Sequence, residues 1–347
     1  MFCPKYQIRN RLLKTIREIG ETLAIIKTRR LTAPAIAKLT LDARSLSSYA
    51  STSIEGNPLP LTDVKRLIKQ SPKQIRDTER EVLNYNQALG WVQTQVKTGK
   101  FQLSAKTFAK VQGMVVDGLM DNPFDIGRLR QRAVVIRDPR DPNKTVFMPP
   151  DHGDVELLLD DLMKFVNANL NEIDPVLLAG IFHKQAVIIH PFMDGNGRST
   201  RLMTTAILGM AGLDVFPIFA FESYYNRNVT KYFQMVGEFG DYYEEMVTGN
   251  DFTHWLEYFA EGILDELKRV QKSLPDLTGG PQLKPHEKLI LDYIDQHSSI
   301  TQREYETLTD RSRSMRIRDL KHMVASGLTK KHGGGRSVFY TRGNQTT

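Results

Sequence analysis

The stretch HPFMDGNGRSTR, residues 190–201, decides the fold. Apolar residues recur at helical spacing both before and after it. Pro191 disfavours a helical conformation at His190, so the first of two helices is predicted to end there. Gly195 and Gly197 accept backbone angles that other residues resist, and the second apolar run begins directly after them. The pattern predicts two helices joined by a tight loop.

The same loop carries the residue types that phosphate chemistry requires. Backbone N–H groups at a glycine-rich helix start form an anion site, and Arg198 and Arg201 add fixed positive charge. Asp194 offers a hard oxygen ligand that suits Mg²⁺, and His190 can accept a proton near neutral pH. Each feature alone has a plainer explanation, such as a capping residue or a solvent-exposed arginine. Their concentration in one loop predicts phosphoryl or nucleotidyl transfer.

The stretch resembles the signature of the Fic (filamentation induced by cAMP) family, HPFx(D/E)GNGRxxR, at every fixed position. The resemblance implies a mainly α fold, a Fic-type helical bundle with a small β-hairpin flap. It also implies transfer of AMP from ATP to a Ser, Thr or Tyr hydroxyl of a target protein or of the enzyme itself. His190 would be the general base, and Asp194 would hold Mg²⁺. The nucleotide and its phosphates would be bound by Phe192, Asp194, Gly195, Asn196, Gly197, Arg198 and Arg201.

A second informative stretch is STSIEGN, residues 51–57, at the predicted end of a helix over residues 39–56. Glycine and then proline follow Glu55 and stop the helix. A carboxylate is unfavourable at a helix C-terminus, which hints at a role beyond stability. The stretch resembles the inhibitory motif of the Fic family. That resemblance implies that Ser51 anchors the motif, and that Glu55 pairs with Arg201 and displaces the γ-phosphate.

Residues 127–150 differ from the helical segments around them. Turn-forming Asp-Pro pairs follow a short β-branched run, Val134-Val135-Ile136, and predict a hairpin. Gly127-x-x-Arg130 followed by this run resembles the flap of the Fic family, whose strand edge would bind a target segment. The resemblance also makes Tyr232 a candidate for the adenine pocket, although core packing explains an aromatic residue there equally well.

The predicted organisation has four parts. Residues 1–120 form an N-terminal helical region, 121–272 the catalytic core, 273–283 a linker and 284–345 a small α+β domain. The last domain reads as three helices and a hairpin, which resembles a winged helix-turn-helix. Its third helix is expected to present Arg313, Arg316, Arg318 and Lys321 outward, as a DNA contact would require.

Composition sets the remaining bounds. The net charge is +7, and residues 282–347 hold 12 basic and 7 acidic side chains, so +5 lies there. The single cysteine, Cys3, excludes an internal disulfide, and neither a signal peptide nor a membrane span is predicted. We therefore expect a cytoplasmic protein with ATP and a target protein as partners, and leave open DNA binding and a homodimer.

Two other interpretations remain at this stage. The first keeps the fold but changes the chemistry to transfer of another nucleotide, a phosphate or a phosphodiester headgroup, or to removal of AMP with Glu55 orienting water. The second makes the chain a DNA-binding regulator whose Fic core is silent or acts as a sensor.

Overall fold

The computed structural model describes residues 2–29, 33–70, 74–138, 141–213, 216–244, 249–278, 284–334 and 337–343. The chain divides into two compact units, Met1–Thr278 and Gly279–Thr347. The prediction of a mainly α fold is confirmed, since helices dominate the first unit and only short strands accompany them. Among the described helices, none is both long and apolar enough to cross a membrane.

The first unit is built from eleven described helices. Five precede the flap region: α1 Asn10–Lys27, α2 Ala33–Ile54, α3 Leu61–Lys69, α4 Asp77–Lys97 and α5 Ala105–Val116. Six follow it: α6 Val155–Ala168, α7 Pro175–Ile189, α8 Asn196–Met210, α9 Glu222–Asn226, α10 Val229–Val236 and α11 Thr253–Thr278.

Helices α7 and α8 lie at the centre of this unit. Nearly every residue of α7 from Val176 to Ile189 is buried, because neighbouring helices cover all of its faces. It packs on α6, α8 and α11, while α8 also contacts α2, α4 and α5. A helix that is apolar on every side belongs inside a core. The loop between α7 and α8 is therefore held by the most buried part of the fold.

A small sheet forms the flap, with strands β1 Ile136–Asp138, β2 Asp141–Met148 and β3 Gly240–Asp241 in that order. β1 and β2 are antiparallel, with Ile136 opposite Phe147. The prediction that Val134 and Val135 belong to the first strand is wrong. Continuing the ladder past Ile136 and Phe147 would set Val135 against Met148 and Val134 against Pro149, which has no N–H to donate.

Two predicted boundaries also need correction. The helix that was predicted over residues 39–56 begins at Ala33, with Pro34 in its first turn, where a missing N–H costs nothing. Its end at Ile54 agrees with the prediction. The proposed linker over 273–283 is wrong in its first half, since α11 continues to Thr278. Leu274 is fully buried, and this packing favours helix over linker. Residues 279–283 lie outside the described part.

The second unit contains α12 Pro285–His297, β4 Ile300–Thr301, α13 Gln302–Thr307, α14 Arg313–Ala325, β5 Thr329–His332 and β6 Phe339–Arg342. Its sheet has the antiparallel order β4-β6-β5. The order of three helices and a hairpin is the one expected, and its winged-helix class stays a prediction. One side chain was misplaced: Arg316 is buried and pairs with Glu306 at 2.7 Å, so it does not face outward.

Candidate active site

His190 ends α7 in a left-handed conformation, with φ 50° and ψ 60°. This region is unfavourable for a residue with a Cβ, and surrounding contacts must hold it there. The backbone N–H of His190 bonds to Ala186 O at 3.1 Å. Its ring Nδ1 lies 3.4 Å from Val187 O, which favours the tautomer with the proton on Nδ1. Nε2 is then the unprotonated atom, as a general base requires.

Arg130 supplies the contacts that hold this conformation. It was predicted to belong to the flap, and the structure places it before β1 with its side chain 1% exposed. The guanidinium donates to four backbone carbonyl groups, those of Arg132, Pro150, Ile189 and His190. Its own backbone N–H donates to Pro191 O at 2.9 Å. Arg130 therefore fixes both ends of the flap region to the C-terminus of α7.

Burial lowers the pKa of His190 from its ordinary value near 6.5 to about 4. The hydrogen bond to Val187 opposes this shift, and the charge of Arg130 adds to it. The side chain is half-buried and lines a cleft, so the imidazole is reachable. At neutral pH the ring is uncharged and able to accept a proton.

The loop after His190 is closed by the side chain of Asn196. Its Oδ1 accepts from Phe192 N at 2.9 Å, and its Nδ2 donates to Phe192 O at 2.8 Å. Gly195 adopts φ 78° directly before α8, as the glycine pattern predicts. The first N–H groups of α8 have no carbonyl within the helix to bond, which leaves them available to an anion.

Two residues that were assigned to phosphate binding have other contacts. The Phe192 ring is fully buried and packs edge-to-face on Phe108 with ring centroids 5.0 Å apart, and the assignment of Phe192 to nucleotide binding stays a prediction. The Gly195 N–H donates to Asp194 Oδ1 at 2.6 Å. Both Asp194 oxygens also accept from Arg198 Nη2, at 3.0 and 3.2 Å.

Arg201 lies beside Gly197 and is fully buried. Its Nη2 donates to Glu55 Oε1 at 2.7 Å and to Ser51 O at 2.8 Å, and its Nε donates to Ser51 Oγ at 2.7 Å. Burial alone would lower the pKa of Arg201, but the Glu55 carboxylate outweighs it and the pKa is raised. Ser51 and Glu55 of the stretch 51–57 thus both contact Arg201 of α8.

The environment of Gly197 fits an anion. A Cβ at this position would collide with Glu55 Oε1 and would lie 3.0 Å from Arg201 Nη1. Arg201 Nη1 is buried and makes no hydrogen bond to any described residue. An orphaned guanidinium nitrogen beside a backbone without a side chain is a suitable cradle for a phosphate oxygen. The Glu55 carboxylate occupies part of this cradle.

The fit of Mg²⁺ depends on Asp194. No cluster of three or more His, Cys, Asp or Glu side chains that could hold a metal occurs in the described ranges. Mg²⁺ commonly binds one or two carboxylates and completes its shell with water and substrate phosphates. The side chain of Asp194 is 57% exposed and belongs to the loop that leads into α8, so it suits this kind of site.

Tyr232 lies near Arg201 in the core. Its ring is buried, and its hydroxyl lies 2.8 Å from His183 Nε2, while His183 Nδ1 lies 3.0 Å from Thr204 Oγ1. Burial, together with the Arg201 charge, lowers the pKa of His183 well below its usual value. His183 is therefore neutral and relays hydrogen bonds inside the core. The adenine role of Tyr232 stays a prediction.

A cleft of about 650 Å³ brings seven of the fifteen predicted site residues together. Its lining includes Glu55, His190, Asn196, Gly197, Arg201 and Tyr232. Ile136 of the flap lines it too, whereas Asp194, Arg198, Val134 and Val135 are not among its lining residues. Helix α10 contributes Phe233, whose ring is 42% exposed. A phosphate cradle, a neutral histidine and a partly exposed aromatic side chain thus share one opening.

Sequence reasoning missed Glu81, a carboxylate on α4. Its Oε1 accepts from Arg198 Nη1 at 2.6 Å, so Arg198 bridges Glu81 and Asp194. The available signal was its place beside the apolar stripe that contains Val82 and Tyr85, where an acidic residue needs a buried partner.

Comparisons with known proteins agree with this geometry. The sequence profile of the Fic/DOC family matches residues 102–208. Proteins named protein adenylyltransferase Fic from Drosophila erecta and Drosophila grimshawi are 28% and 29% identical over 169 residues. These matches cover 47% of this chain, and the chain spans about a third of each relative, 32% of its length.

Solved structures share the fold. A Fic family protein from Desulfovibrio desulfuricans superposes with a TM-score of 0.67 over 100% of both chains, at 19% identity. Fic-1 from C. elegans gives a TM-score of 0.56 over 77% of this chain and 73% of its own, at 20% identity. Residues 102–208 thus match the Fic/DOC family profile, and the fold is similar to that of these solved Fic structures.

Proposed function

We propose that the protein transfers AMP from Mg·ATP to a Ser, Thr or Tyr hydroxyl of a target protein or of itself, and that Glu55 inhibits the reaction. The observation that carries this proposal is the cradle at Gly197 and Arg201, which opens into the same cleft as a neutral His190. The names of the curated relatives support AMP as the transferred group.

Different residues of the site are proposed to bind the phosphates, accept the proton and hold Mg²⁺. The start of α8 and Arg201 bind the phosphates, and His190 Nε2 takes the proton of the attacking hydroxyl. The hydroxyl oxygen bonds to the α-phosphorus as the bond to the leaving pyrophosphate breaks. Mg²⁺ held by Asp194 would neutralise phosphate charge. Such transfer depends mainly on positioning and electrostatics, which this site provides.

The flap is proposed to position the target. β1 is the edge strand of its sheet, and Ile136 of that strand lines the cleft. An exposed edge can pair with an extended segment through backbone hydrogen bonds alone. Arg130, which ties Pro150 and His190 to one guanidinium, would keep that edge in register with the base. This arrangement admits targets of varied sequence.

Intact-mass spectrometry tests the transferred group. The Glu55→Gly protein, incubated with Mg²⁺ and each nucleotide in turn, is expected to gain the mass of AMP with ATP. A gain of a different group would replace AMP transfer with another Fic chemistry. Loss of AMP from a modified protein would instead favour removal, with Glu55 orienting water. No mass change on the protein or on lysate proteins would refute transferase activity.

The rate of transfer should depend little on pH down to mildly acidic values. Because His190 acts in its neutral form and its pKa is lowered to about 4, kcat/KM should stay constant from about pH 8 to pH 6 and fall only as the pH approaches that value. A continuous assay of pyrophosphate release checks this, with thermal melts at each pH as the control for folding. An acid limb centred near the ordinary histidine pKa would contradict the role given to burial.

A second proposal concerns DNA and the Gly279–Thr347 unit. Its helix α14 exposes Arg313, Arg318 and Lys321, and β5 exposes Lys330 and Lys331. Basic side chains on a third helix and a hairpin are typical of DNA contacts. Binding that weakens with salt, with a slope reduced by Arg318→Ala, is expected in a titrated gel shift. Binding unaffected by Arg318→Ala, or none at low salt, would contradict it. A homodimer and a cytoplasmic location stay predictions.

A further inference from the structure

The Arg198 guanidinium is held between two carboxylates of very different exposure. Its Nη1 bonds to Glu81 Oε1 at 2.6 Å, and its Nη2 bonds to Asp194 at 3.0 and 3.2 Å. The Glu81 side chain is 16% exposed and that of Asp194 is 57% exposed. An unpaired buried carboxylate costs far more than an unpaired exposed one, because water compensates only the latter. Glu81 is thus the permanent partner and Asp194 the exchangeable one.

Glu81 is itself fixed in place. Its second oxygen, Oε2, accepts from Asn57 Nδ2 at 2.6 Å, and the same Asn57 amide donates to Thr78 O at 2.8 Å. Asn57 Oδ1 accepts from Leu59 N at 3.1 Å. Burial raises the pKa of Glu81, while Arg198 and Asn57 oppose that shift. Glu81 is therefore tied both to Arg198 and to the segment that carries Glu55.

We propose that Glu81 is a positioning residue that holds Arg198 by one edge, so that the Asp194 carboxylate can leave Arg198 and take Mg²⁺. The proposal rests on the proposed function. Without the negative charge of Glu81, the Arg198 guanidinium would attract Asp194 more strongly. It would then compete with Mg²⁺ for the Asp194 carboxylate. Arg198 Nη2, once released by Asp194, would face an incoming phosphate oxygen while Nη1 stays anchored.

This role predicts opposite effects on two kinds of nucleotide binding. Loss of the Glu81 charge should make Mg²⁺ harder to bind, because Asp194 is more strongly engaged by Arg198. Partners of a metal-ligating carboxylate typically change metal affinity by about 10–100-fold when removed. The same loss removes a negative charge near the phosphates. ATP without Mg²⁺ should therefore bind at least as tightly as before.

The test uses full-length Glu55→Gly protein as the parent, with Glu81→Gln added. ATP binding is measured by titration calorimetry over a series of Mg²⁺ concentrations, and again in excess chelator. The half-saturating Mg²⁺ concentration is expected to rise about tenfold, with no weakening in chelator. Glu79→Gln is the matched control, since Glu79 lies on the same helix and pairs only with Arg76 among the contacts described for it. It should leave both measurements unchanged.

An unchanged Mg²⁺ requirement, or equal weakening with and without Mg²⁺, would overturn the role of Glu81 while leaving the transferase proposal intact. A Glu55→Gly parent that binds no ATP would overturn both. Asn57→Ala provides a second route, because it frees Glu81 Oε2 without changing charge. A smaller rise in the Mg²⁺ requirement is expected there, and no rise would count against the proposal even if Glu81→Gln does not fold.

Discussion

Replacing Glu55 with glycine should raise AMP incorporation by about 10²-fold, since juxtaposed like charges cost several kcal/mol. The Glu55 carboxylate binds Arg201 Nη2 at 2.7 Å and fills the space beside Gly197. A γ-phosphate placed on Arg201 would meet this carboxylate at close range. Glycine removes the charge, so that Arg201 can offer Nη1 and the N–H of Nη2 that Glu55 held to phosphate, while Nη2 keeps its bond to Ser51 O. Incorporation from α-labelled ATP in a lysate, read by gel and mass spectrometry, measures the change.

The controls separate charge from folding. Glu55→Gln keeps the shape and loses the charge, so it should recover much of the gain. Arg201→Ala in the Glu55→Gly background removes the phosphate partner and should abolish incorporation. Equal incorporation by the wild type and Glu55→Gly would show that the carboxylate does not inhibit.

The loop between α7 and α8 could be predicted because the backbone preferences of its proline and glycines all favour a break between two helices. Pro191 predicts the end of α7 near His190, as the structure has it, whereas α8 begins at Asn196 and already includes Gly197, after which the second helix was expected. The pairing of Glu55 with Arg201 came from a resemblance between motifs and is present in the structure. Neither required knowledge of how distant helices pack.

The residues that sequence reasoning missed depend on such packing. Glu81 and Arg198 are 117 positions apart, and only the contact of α4 with α8 brings them together. Arg130 was predicted as part of the flap, but its contacts were not, since its partners are backbone carbonyls, which no side-chain pattern reveals. The contact between the rings of Phe192 and Phe108 likewise depends on how α5 packs against the loop, which the sequence pattern does not reveal.

The boundary errors have a similar origin. The run Val134-Val135 has strand propensity, but a ladder needs a partner with N–H groups and the facing segment includes Pro149. Residues 273–283 were predicted as a linker, yet the helix continues to Thr278 and Leu274 is buried within it. In both cases tertiary contacts outweigh local propensity.

Replacing His190 with alanine should lower transfer by about 10²–10⁴-fold, the usual contribution of a general base. His190 lines the cleft, and the hydrogen bond of Nδ1 to Val187 leaves Nε2 to accept a proton. ATP affinity should change little, because the proposed phosphate contacts come from α8 and Arg201. Transfer rates and calorimetric ATP binding, both measured in the Glu55→Gly background, separate the two effects.

The left-handed backbone at residue 190 makes His190→Asn the informative companion variant, since asparagine tolerates these angles better than alanine and cannot act as the base. If backbone strain alone mattered, His190→Asn would retain most activity and His190→Ala would not. If proton transfer matters, both variants should lose it to a similar extent and still bind ATP. Retained transfer in either variant would therefore remove His190 from the chemistry and leave the flap or the phosphate cradle to account for the rate.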